Sequence, residues 1–310
     1  MRKDTSSPGL KLFGPERQGL GCMALSGLFG PVEPATAIAT LYRALDEGVR
    51  HFDTAELYGP YANEILVADA LSTRRETVSI ATKVGYRLIE GRMAGLDGRP
   101  EALRRAVEGS LRRLGRERLD LLYLHRVDPG VPIEESVGAL EGLRVEGKVG
   151  ALGLSSVDRT TLDRASAIAD ISVVQNEQSL LERNNGPEAV LAPGSTTTFV
   201  AYSPLARGLL TGPVVAGPVR DERDYRRSDP RLAPDRLAAL YSSIAPLMEI
   251  AEARGVKPAA IALAWLLRRA PHSALVVGCR TPEQVTSMIR AGTLQLKAEE
   301  VASLDGIVSL

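Results

Sequence analysis

The sequence predicts a (β/α)₈ barrel, an α/β fold with its active site at the C-terminal ends of the strands. Short apolar, strand-like runs alternate with helical segments along the chain, which is the pattern of parallel βα units. Several of these runs end in polar residues suited to catalysis, and strand ends of this kind meet on one face of a barrel. Residues 1–310 are expected to form a single domain, because barrels commonly exceed about 250 residues.

Four βα units are predicted in the first half of the chain. The strands are expected at Leu20–Met23, Val49–Asp53, Val78–Lys83 and Leu119–Leu124, and the helices at Pro34–Glu47, Tyr61–Leu71, Pro100–Leu114 and Ile133–Glu146. Pro34 suits a first helical position, while Gly48 and Gly147 suit helix ends. Four apolar residues of the third helix recur at helical spacing and are expected to face the barrel: Leu103, Val107, Leu111 and Leu114.

The second half continues the alternation with a weaker sixth unit. Strands are expected at Val149–Leu154, Ile171–Val174, Phe199–Tyr202 and Leu275–Val277, and helices at Arg159–Ala169, Pro187–Ala192, Pro234–Arg254, Pro258–Arg269 and Pro282–Arg290. The Ala192-Pro-Gly sequence ends the sixth helix early. Gly212–Pro234 is rich in Pro, Gly, Arg and Asp, which predicts a mobile surface loop after the seventh strand.

Composition excludes several classes of function. Lys+Arg and Asp+Glu both number 38, so the chain has no basic field for nucleic acid and no polybasic membrane patch. The two cysteines lie far apart, which predicts neither a metal site nor a disulfide framework and suits a reducing compartment. The first 18 residues lack the apolar core of a signal peptide. We therefore expect a cytoplasmic protein that acts on small molecules.

Four polar residues at the strand ends predict carbonyl reduction: Asp53, Tyr58, Lys83 and His125. Reduction by hydride transfer requires an acid that protonates the carbonyl oxygen, and a tyrosine can serve if a nearby cation lowers its pKa from about 10. Lys83 could supply the cation, Asp53 could keep that lysine charged, and His125 could bind the same oxygen. Each residue alone also has a purely structural explanation, so the prediction depends on the combination.

Five further motifs, together with these residues, resemble the aldo-keto reductase superfamily from about Gly19 to Arg290. They read GLGCMALSGLFGP, LHRVDPGVPIEESVGALEGLRVEGKVGALGLSS, VVQNEQSLLER, AYSPLARGLLTG and VGCRTPEQV. The similarity is greatest to the auxin-induced-type and bacterial pyridoxal- and aldehyde-reductase-like branch. It implies that Tyr58 is the general acid, that Lys83 and Asp53 tune it, and that His125 orients the carbonyl group.

The resemblance also implies a nicotinamide cofactor. It assigns Ser155, Ser156 and Gln175 to the carboxamide, Tyr202 to the face of the nicotinamide, and Ser203, Leu205 and Arg207 to the pyrophosphate; the family commonly has Asn in place of Ser156. Near the first strand, Gly21, Cys22 and Met23 are expected to let the backbone approach the cofactor. The same stretch formally matches GxGxxA, but no hydrophobic strand precedes it, so a dinucleotide-binding turn is disfavoured.

The last motif predicts a preference for NADPH. Thr281 and Pro282 suit the start of a helix, and a helix N-terminus after the last barrel strand is a natural phosphate site. Arg280 could bind a 2′-phosphate with two hydrogen bonds. By resemblance, Gly278 and Gln284 also contact the cofactor, while Met288 stands where the family has an Asn that contacts adenine.

Three functions remain open from the sequence. The favoured one is an NADPH-dependent reductase of aldehydes or ketones, acting as a monomer or small homo-oligomer on a small carbonyl substrate. The others are a pathway-specific keto-sugar or keto-cyclitol reductase or epimerase, and a cofactor-binding regulatory subunit, against which the complete catalytic set argues. Candidate pocket residues are Phe29, Tyr86 and Arg126; the arginine could meet an anionic or polyhydroxylated substrate or equally form an ion pair behind the site.

Overall fold

The computed structural model of the protein describes residues 7–74, 77–212, 224–230 and 233–308. Its strands are β1 Gln18–Gly21, β2 His51–Asp53, β3 Ser79–Val84, β4 Tyr86–Ile89, β5 Arg92–Leu96, β6 Leu119–Leu124, β7 Val149–Ser155, β8 Ile171–Glu177, β9 Thr198–Tyr202 and β10 Ser273–Gly278. Eight of them form a closed parallel barrel in the order β1-β10-β9-β8-β7-β6-β3-β2. The predicted (β/α)₈ architecture is confirmed.

Helices surround this barrel. They are α1 Pro8–Lys11, α2 Pro34–Asp46, α3 Ala62–Ala70, α4 Pro100–Leu114, α5 Ile133–Val145, α6 Arg159–Ser166, α7 Pro187–Val190, α8 Pro234–Ser243, α9 Ala245–Ala253, α10 Pro258–Arg269, α11 Pro282–Thr293 and α12 Ala298–Asp305. The predicted bounds of α4, α10 and β6 are confirmed at both ends. The helix predicted at Pro234–Arg254 is instead two helices that meet at Ile244. Gly48 and Gly147 follow α2 and α5 with φ of 87° and 81°, a conformation that glycine adopts without strain.

Two separate apolar cores hold the barrel. The larger core lies between the strands and the outer helices and includes Leu103, Val107 and Leu114 of α4, each at most 1% exposed, with Leu111 partly buried against it. The smaller core fills the barrel interior. Its central ring, Tyr123, lies against the bare backbone of Gly153, where an added Cβ would come within 2.5 Å of a ring carbon.

A short N-terminal segment closes the lower end of the barrel. α1 carries Leu10 and leads to Phe13, and both residues belong to the interior core. The Phe13 ring stacks on the buried His51 ring with a centroid distance of 3.9 Å. Burial and then the charge of Lys83 lower the pKa of His51 to about 3, so this ring is neutral and accepts an apolar neighbour.

Three elements were not predicted: α1, the antiparallel hairpin β4–β5, and α12. The hairpin follows β3 on the C-terminal face, and its base is closed by a hydrogen bond from Asp97 N to Gly85 O at 3.0 Å. Most of the predicted loop Gly212–Pro234 falls outside the described residues, but Tyr225–Ser228 forms a 3-10 helix. No helix within the described ranges is long and apolar enough to cross a membrane.

Phe13→Ala is expected to destabilise the protein by roughly 3–5 kcal/mol, because it empties the lower end of the barrel interior. Urea unfolding followed by circular dichroism measures this change. Val145→Ala is the matched control, since the Val145 side chain is 75% exposed and its truncation should cost little. Equal effects of the two substitutions would show that α1 does not seal the barrel.

Candidate active site

The barrel register brings the predicted catalytic residues together. Asp53 ends β2 and pairs with Ala81 of β3, so Lys83 lies two residues further along the neighbouring strand. His125 directly follows β6, which is the next strand in the ring. Tyr58 lies in the loop after β2, and that loop is fixed to β3 by a hydrogen bond from Glu56 N to Lys83 O at 3.3 Å. All four side chains are buried.

Lys83 is the centre of the cluster. Its ammonium donates to Asp53 Oδ1, to the carbonyl oxygen of Thr54 at 2.9 Å and to Tyr58 Oη at 3.2 Å. The Gln175 amide donates to the other Asp53 oxygen at 2.8 Å. All three N–H groups of the Lys83 ammonium and both oxygens of the Asp53 carboxylate therefore have hydrogen-bond partners. A buried ion pair is stable only when its donors and acceptors are satisfied in this way.

The pKa of Lys83 lies above its ordinary value. Burial alone would lower it, but the Asp53 carboxylate and the Tyr58 hydroxyl outweigh that effect. The pKa of Tyr58 is also raised, because burial of the phenol outweighs the opposing influence of Lys83. The expectation that Lys83 brings the Tyr58 pKa below 10 is therefore wrong for this enclosed site. The lysine is a cation and the phenol is protonated at neutral pH.

His125 is a neutral imidazole. Burial, followed by the charges of Lys83 and Arg126, lowers its pKa well below 6.5. Its ring meets the rings of Tyr58 and Tyr86 edge-on at centroid distances of 5.9 and 5.0 Å. Its Nδ1 is buried and has no hydrogen-bond partner among the described residues. Such a ring can offer a hydrogen bond to a substrate but not a positive charge.

Two polar side chains at the start of α3 brace the site and were missed in the sequence. Asn63 accepts a hydrogen bond from Thr54 Oγ1 at 2.6 Å and donates to Cys22 O at 2.9 Å. Glu64 accepts from Thr82 Oγ1 at 2.6 Å and pairs with Arg113 at 2.5 Å. Both side chains are at most 2% exposed. Their burial depends on which face of α3 turns toward the barrel, so no local sequence motif marked them.

The residues assigned to the carboxamide lie at the ends of β7 and β8. Gln175 is drawn into the catalytic cluster through Asp53, and the Ser155 hydroxyl accepts from Arg126 at 3.1 Å. Ser156 has a φ of 57°, a left-handed conformation that Asn tolerates better than Ser. It is held there by hydrogen bonds from its N–H to Gln175 O and between its hydroxyl and that of Tyr202, both 3.0 Å long.

The strands β1 and β10 both end in glycine, so the edge that they form there carries no side chains. Gly21 pairs with Gly278, and Gly278 is exposed. Met23 is partly exposed beside this edge. The 3-10 helix Cys22–Ser26 turns the Cys22 side chain into the core, where it is fully buried, so the expected approach to a cofactor would involve the backbone of this residue. The Cys22 side chain therefore offers no group to a ligand.

The segment after β9 has an unusual backbone. Ser203, Ala206 and Arg207 all have left-handed φ values, of 49°, 48° and 55°. Such values cost energy in residues other than glycine and are concentrated at ligand sites. The Arg207 guanidinium contacts Glu177 at 3.2 Å and also Asp229, while Leu205 lies partly buried against the core. Ser203 and Arg207 remain partly exposed.

Arg280 lies where the sequence predicts, at the N-terminus of α11. Its guanidinium donates to Pro31 O at 2.8 Å, and its backbone N–H donates to Gln284 Oε1 at 2.7 Å. Thr281 occupies the N-cap position, but its side chain makes no capping hydrogen bond. Met288 is 1% exposed and belongs to the core, so it offers nothing to a ligand on the surface.

The three candidate substrate-pocket residues, Phe29, Tyr86 and Arg126, do not all lie in one place. Tyr86 lies beside His125. Arg126 donates to the His125 carbonyl oxygen at 2.6 Å and to Ser155, and it lies 5.9 Å from the centroid of the Tyr202 ring. Arg126 thus connects the catalytic residues to the ends of β7 and β9. Phe29 instead contacts Arg226 at 5.2 Å from the ring centroid. In the described part of the chain, no group of His, Cys, Asp and Glu could hold a metal ion.

Comparison with known proteins gives a consistent result. The model of the "Aldo/keto reductase family" matches residues 18–309. "Probable aldo-keto reductase 1" of Glycine max is 35% identical over 299 residues, which are 96% of this chain and 86% of the relative. A glycerol dehydrogenase structure from Gluconobacter oxydans has a TM-score of 0.83 at 32% identity, over 99% of this chain and 95% of that one. An aldo-keto reductase from Klebsiella pneumoniae, solved in complex with NADPH, has a TM-score of 0.70 at 28% identity, over 93% and 89%.

Lys83→Met is expected to reduce the free energy of unfolding by about 3–5 kcal/mol, because it leaves the Asp53 carboxylate buried without a cation. The double substitution Asp53→Asn with Lys83→Met removes both charges and should recover much of that loss. Urea denaturation of wild type, both single variants and the double variant measures the coupling. A double variant as unstable as the sum of the singles would show that the ion pair does not carry the stability of this site.

Proposed function

Because the chain belongs to the aldo/keto reductase family, an oxidoreductase family, we propose that it reduces an aldehyde or ketone to an alcohol with NADPH, with Tyr58 as the proton donor. The proposal takes residues 1–310 as one barrel domain that acts on a small carbonyl compound. The observation that carries it is the contact of one buried ammonium, Lys83 Nζ, with both the Asp53 carboxylate and the Tyr58 hydroxyl.

Several features of the barrel face support a bound NADPH. Gly278 is exposed at the edge that it forms with Gly21, Tyr202 is partly exposed, and Arg280 Nε is buried with no partner among the described residues. In this proposal Ser155, Ser156 and Gln175 bind the carboxamide, and Tyr202 lies against the nicotinamide. Ser203, Leu205 and Arg207 bind the pyrophosphate, and Gly278, Arg280 and Gln284 bind the adenosine end. The backbone of Gly21, Cys22 and Met23 approaches the cofactor beside the first strand. When bound, NADPH supplies the hydride for the carbonyl carbon.

Tyr58 and its neighbours would supply the proton that the substrate oxygen receives. As negative charge develops on the substrate oxygen, Tyr58 Oη transfers its proton to that oxygen and becomes a phenolate. Lys83, 3.2 Å from Oη, stabilises this phenolate, and Asp53 keeps the ammonium in position. The neutral His125 ring orients the carbonyl oxygen by a hydrogen bond without competing as a charged acid.

A screen of NADPH oxidation against neutral and anionic aldehydes, ketones and keto-sugars tests the reaction. Because the Gluconobacter oxydans relative is a glycerol dehydrogenase, the screen should also follow NADP reduction with short polyols. Absence of turnover with every compound, despite tight NADPH binding, would overturn the proposal and favour a regulatory role for the bound cofactor.

Tyr58→Phe is expected to lower the turnover number by roughly 10²-fold or more, since it removes the proton donor and keeps the ring. NADPH affinity should change little. Steady-state rates at saturating NADPH measure the effect, with the exposed Tyr42→Phe as the matched control. Near-normal turnover would exclude Tyr58 as the acid.

The pH dependence of the wild type gives an independent check on Tyr58. Its pKa is raised above 10, so the phenol remains protonated throughout the range from neutral pH to 10. Loss of the acid should therefore begin only above about pH 10. A fall in turnover between pH 7 and 9 that is absent from Tyr58→Phe would show that Tyr58 titrates in that range, and would contradict the raised pKa.

Arg280→Ala is expected to weaken NADPH binding by roughly 1.5–3 kcal/mol, the range for hydrogen bonds to a charged group, and to affect NADH far less. Fluorescence titration gives both dissociation constants. Arg290→Ala, on the same helix, removes the same charge at an exposed position and serves as the control. Equal losses for both cofactors would mean that Arg280 does not recognise the 2′-phosphate.

A further inference from the structure

A cleft lies beside the candidate catalytic residues. It has a volume of about 310 Å³ and opens between the loop after β2, the base of the hairpin β4–β5 and one face of α4. Tyr86 lines the cleft, and its ring also contacts His125. None of Asp53, Tyr58, Lys83 and His125 lines it, so the cleft is distinct from the catalytic cluster.

Four arginines line this cleft: Arg87, Arg105, Arg112 and Arg113. Arg113 is paired with Glu64, and Arg87 donates to the carbonyl oxygen of Ala94. The side chains of Arg105 and Arg112 are exposed. Their charges act on Asp97 and Glu108 respectively, without a side-chain hydrogen bond to either carboxylate in the described part of the chain. The acidic lining residues are Asp97, which is paired with Arg99, and Glu56. The cleft therefore has an excess of positive charge.

Glu56 is the buried member of the cleft. Its side chain is 4% exposed, and its Oε1 has no hydrogen-bond partner among the described residues. The backbone N–H groups of Gly85 and Tyr86 lie near the carboxyl group. Burial, and then the charge of Glu64, raise the pKa of Glu56 to about 7, although Arg113 and the two N–H groups oppose this. Near neutral pH a large fraction of Glu56 is therefore the protonated acid.

We propose that this cleft binds an oxyanion group, such as a sulfate, phosphate or carboxylate, between the guanidinium groups of Arg105 and Arg112 and the carboxylic acid of Glu56. Arginine forms its strongest hydrogen bonds with such groups. Protonation of Glu56 removes a negative charge from the lining of the cleft that would otherwise repel the anion. A cationic ligand would be repelled by the arginines, and a neutral polyol would leave their charges unmatched.

The oxyanion could belong to a free small anion or to the distal end of a carbonyl substrate. The second source rests on the proposed function; the first does not. Glu56 N donates to Lys83 O, and Tyr86 contacts His125, so a ligand in the cleft touches residues adjacent to the catalytic cluster.

Sulfate is the appropriate probe, because its charge is constant between pH 6 and 8. Isothermal titration calorimetry at constant ionic strength, with chloride as the competing salt, should show sulfate binding to the wild type. Replacing both Arg105 and Arg112 by Ala should weaken binding by 10-fold or more, while Arg118→Ala, which removes an exposed arginine outside the cleft, should not. No measurable binding, or equal loss in the Arg118 control, would overturn the proposal.

The role of Glu56 is tested by pH. Protonation favours anion binding, so wild-type affinity should increase as the pH falls from 8 to 6. Glu56→Gln keeps a donor without titrating, so its affinity should be nearly constant over this range. An unchanged pH dependence in Glu56→Gln would remove Glu56 from the site. These measurements need no turnover and remain informative if the proposed reaction fails.

Kinetics identify the source of the anion. If the anion is the end of a substrate, sulfate should raise KM for 4-carboxybenzaldehyde but not for benzaldehyde, and Arg105→Ala/Arg112→Ala should abolish that difference. If the anion is a separate ligand, sulfate should affect both aldehydes alike. Sulfate that binds the cleft by calorimetry supports the site in either case.

Discussion

The upper half of the barrel depends on one buried ion pair, between Lys83 and Asp53. The Lys83 side chain is 1% exposed, and an ammonium in such a place would lose its proton without compensation. Asp53, Thr54 O and Tyr58 Oη together satisfy its three N–H groups. These contacts require the ends of β2 and β3 and the loop after β2 to hold fixed positions. The ion pair therefore determines the local structure, and that structure in turn stabilises the ion pair.

The constraint extends across the barrel through Gln175. This residue lies on β8, which is not adjacent to β2 in the barrel, yet its amide reaches the second oxygen of Asp53. The carboxylate is thereby held from both sides of the interior. Below it, the Tyr123 ring packs against Gly153 within the apolar core of the barrel interior. A polar upper layer rests on an apolar lower one.

The sequence predicts the bounds of strongly apolar helices well. It predicts poorly where a strand ends once its residues become polar. α4 has apolar residues at helical spacing, and α10 is a continuous apolar run. Both begin with a proline and are found within their predicted bounds. β8 continues to Glu177, beyond its apolar part, because the ladder with β9 pairs Gln175, Asn176 and Glu177 as well. The four residues of α1 are too few for a periodic pattern, and the hairpin β4–β5 is too exposed to alternate clearly.

For the candidate site, the sequence predicts which residue types converge but not how burial changes them. The ends of parallel strands must lie on one face, which brought Asp53, Lys83 and His125 together without knowledge of the packing. The braces by Asn63 and Glu64 depend on which face of α3 turns inward, and the direction of the Tyr58 pKa depends on the depth of the phenol. Neither depth nor helix rotation can be read from a local sequence motif.

Burial favours the neutral form of three titratable groups around the Lys83 cation. It raises the pKa of Tyr58 and of Glu56 and lowers that of His125, so each of these groups favours its neutral form. Lys83 is the exception, because Asp53 more than offsets the cost of its burial. Apart from its partner Asp53 and the nearby Arg126, the Lys83 cation therefore has neutral hydrogen-bonding groups around it. A negative charge that forms beside it, on a phenolate or a substrate oxygen, meets one cation in a medium of low polarity, where that attraction is stronger than in water.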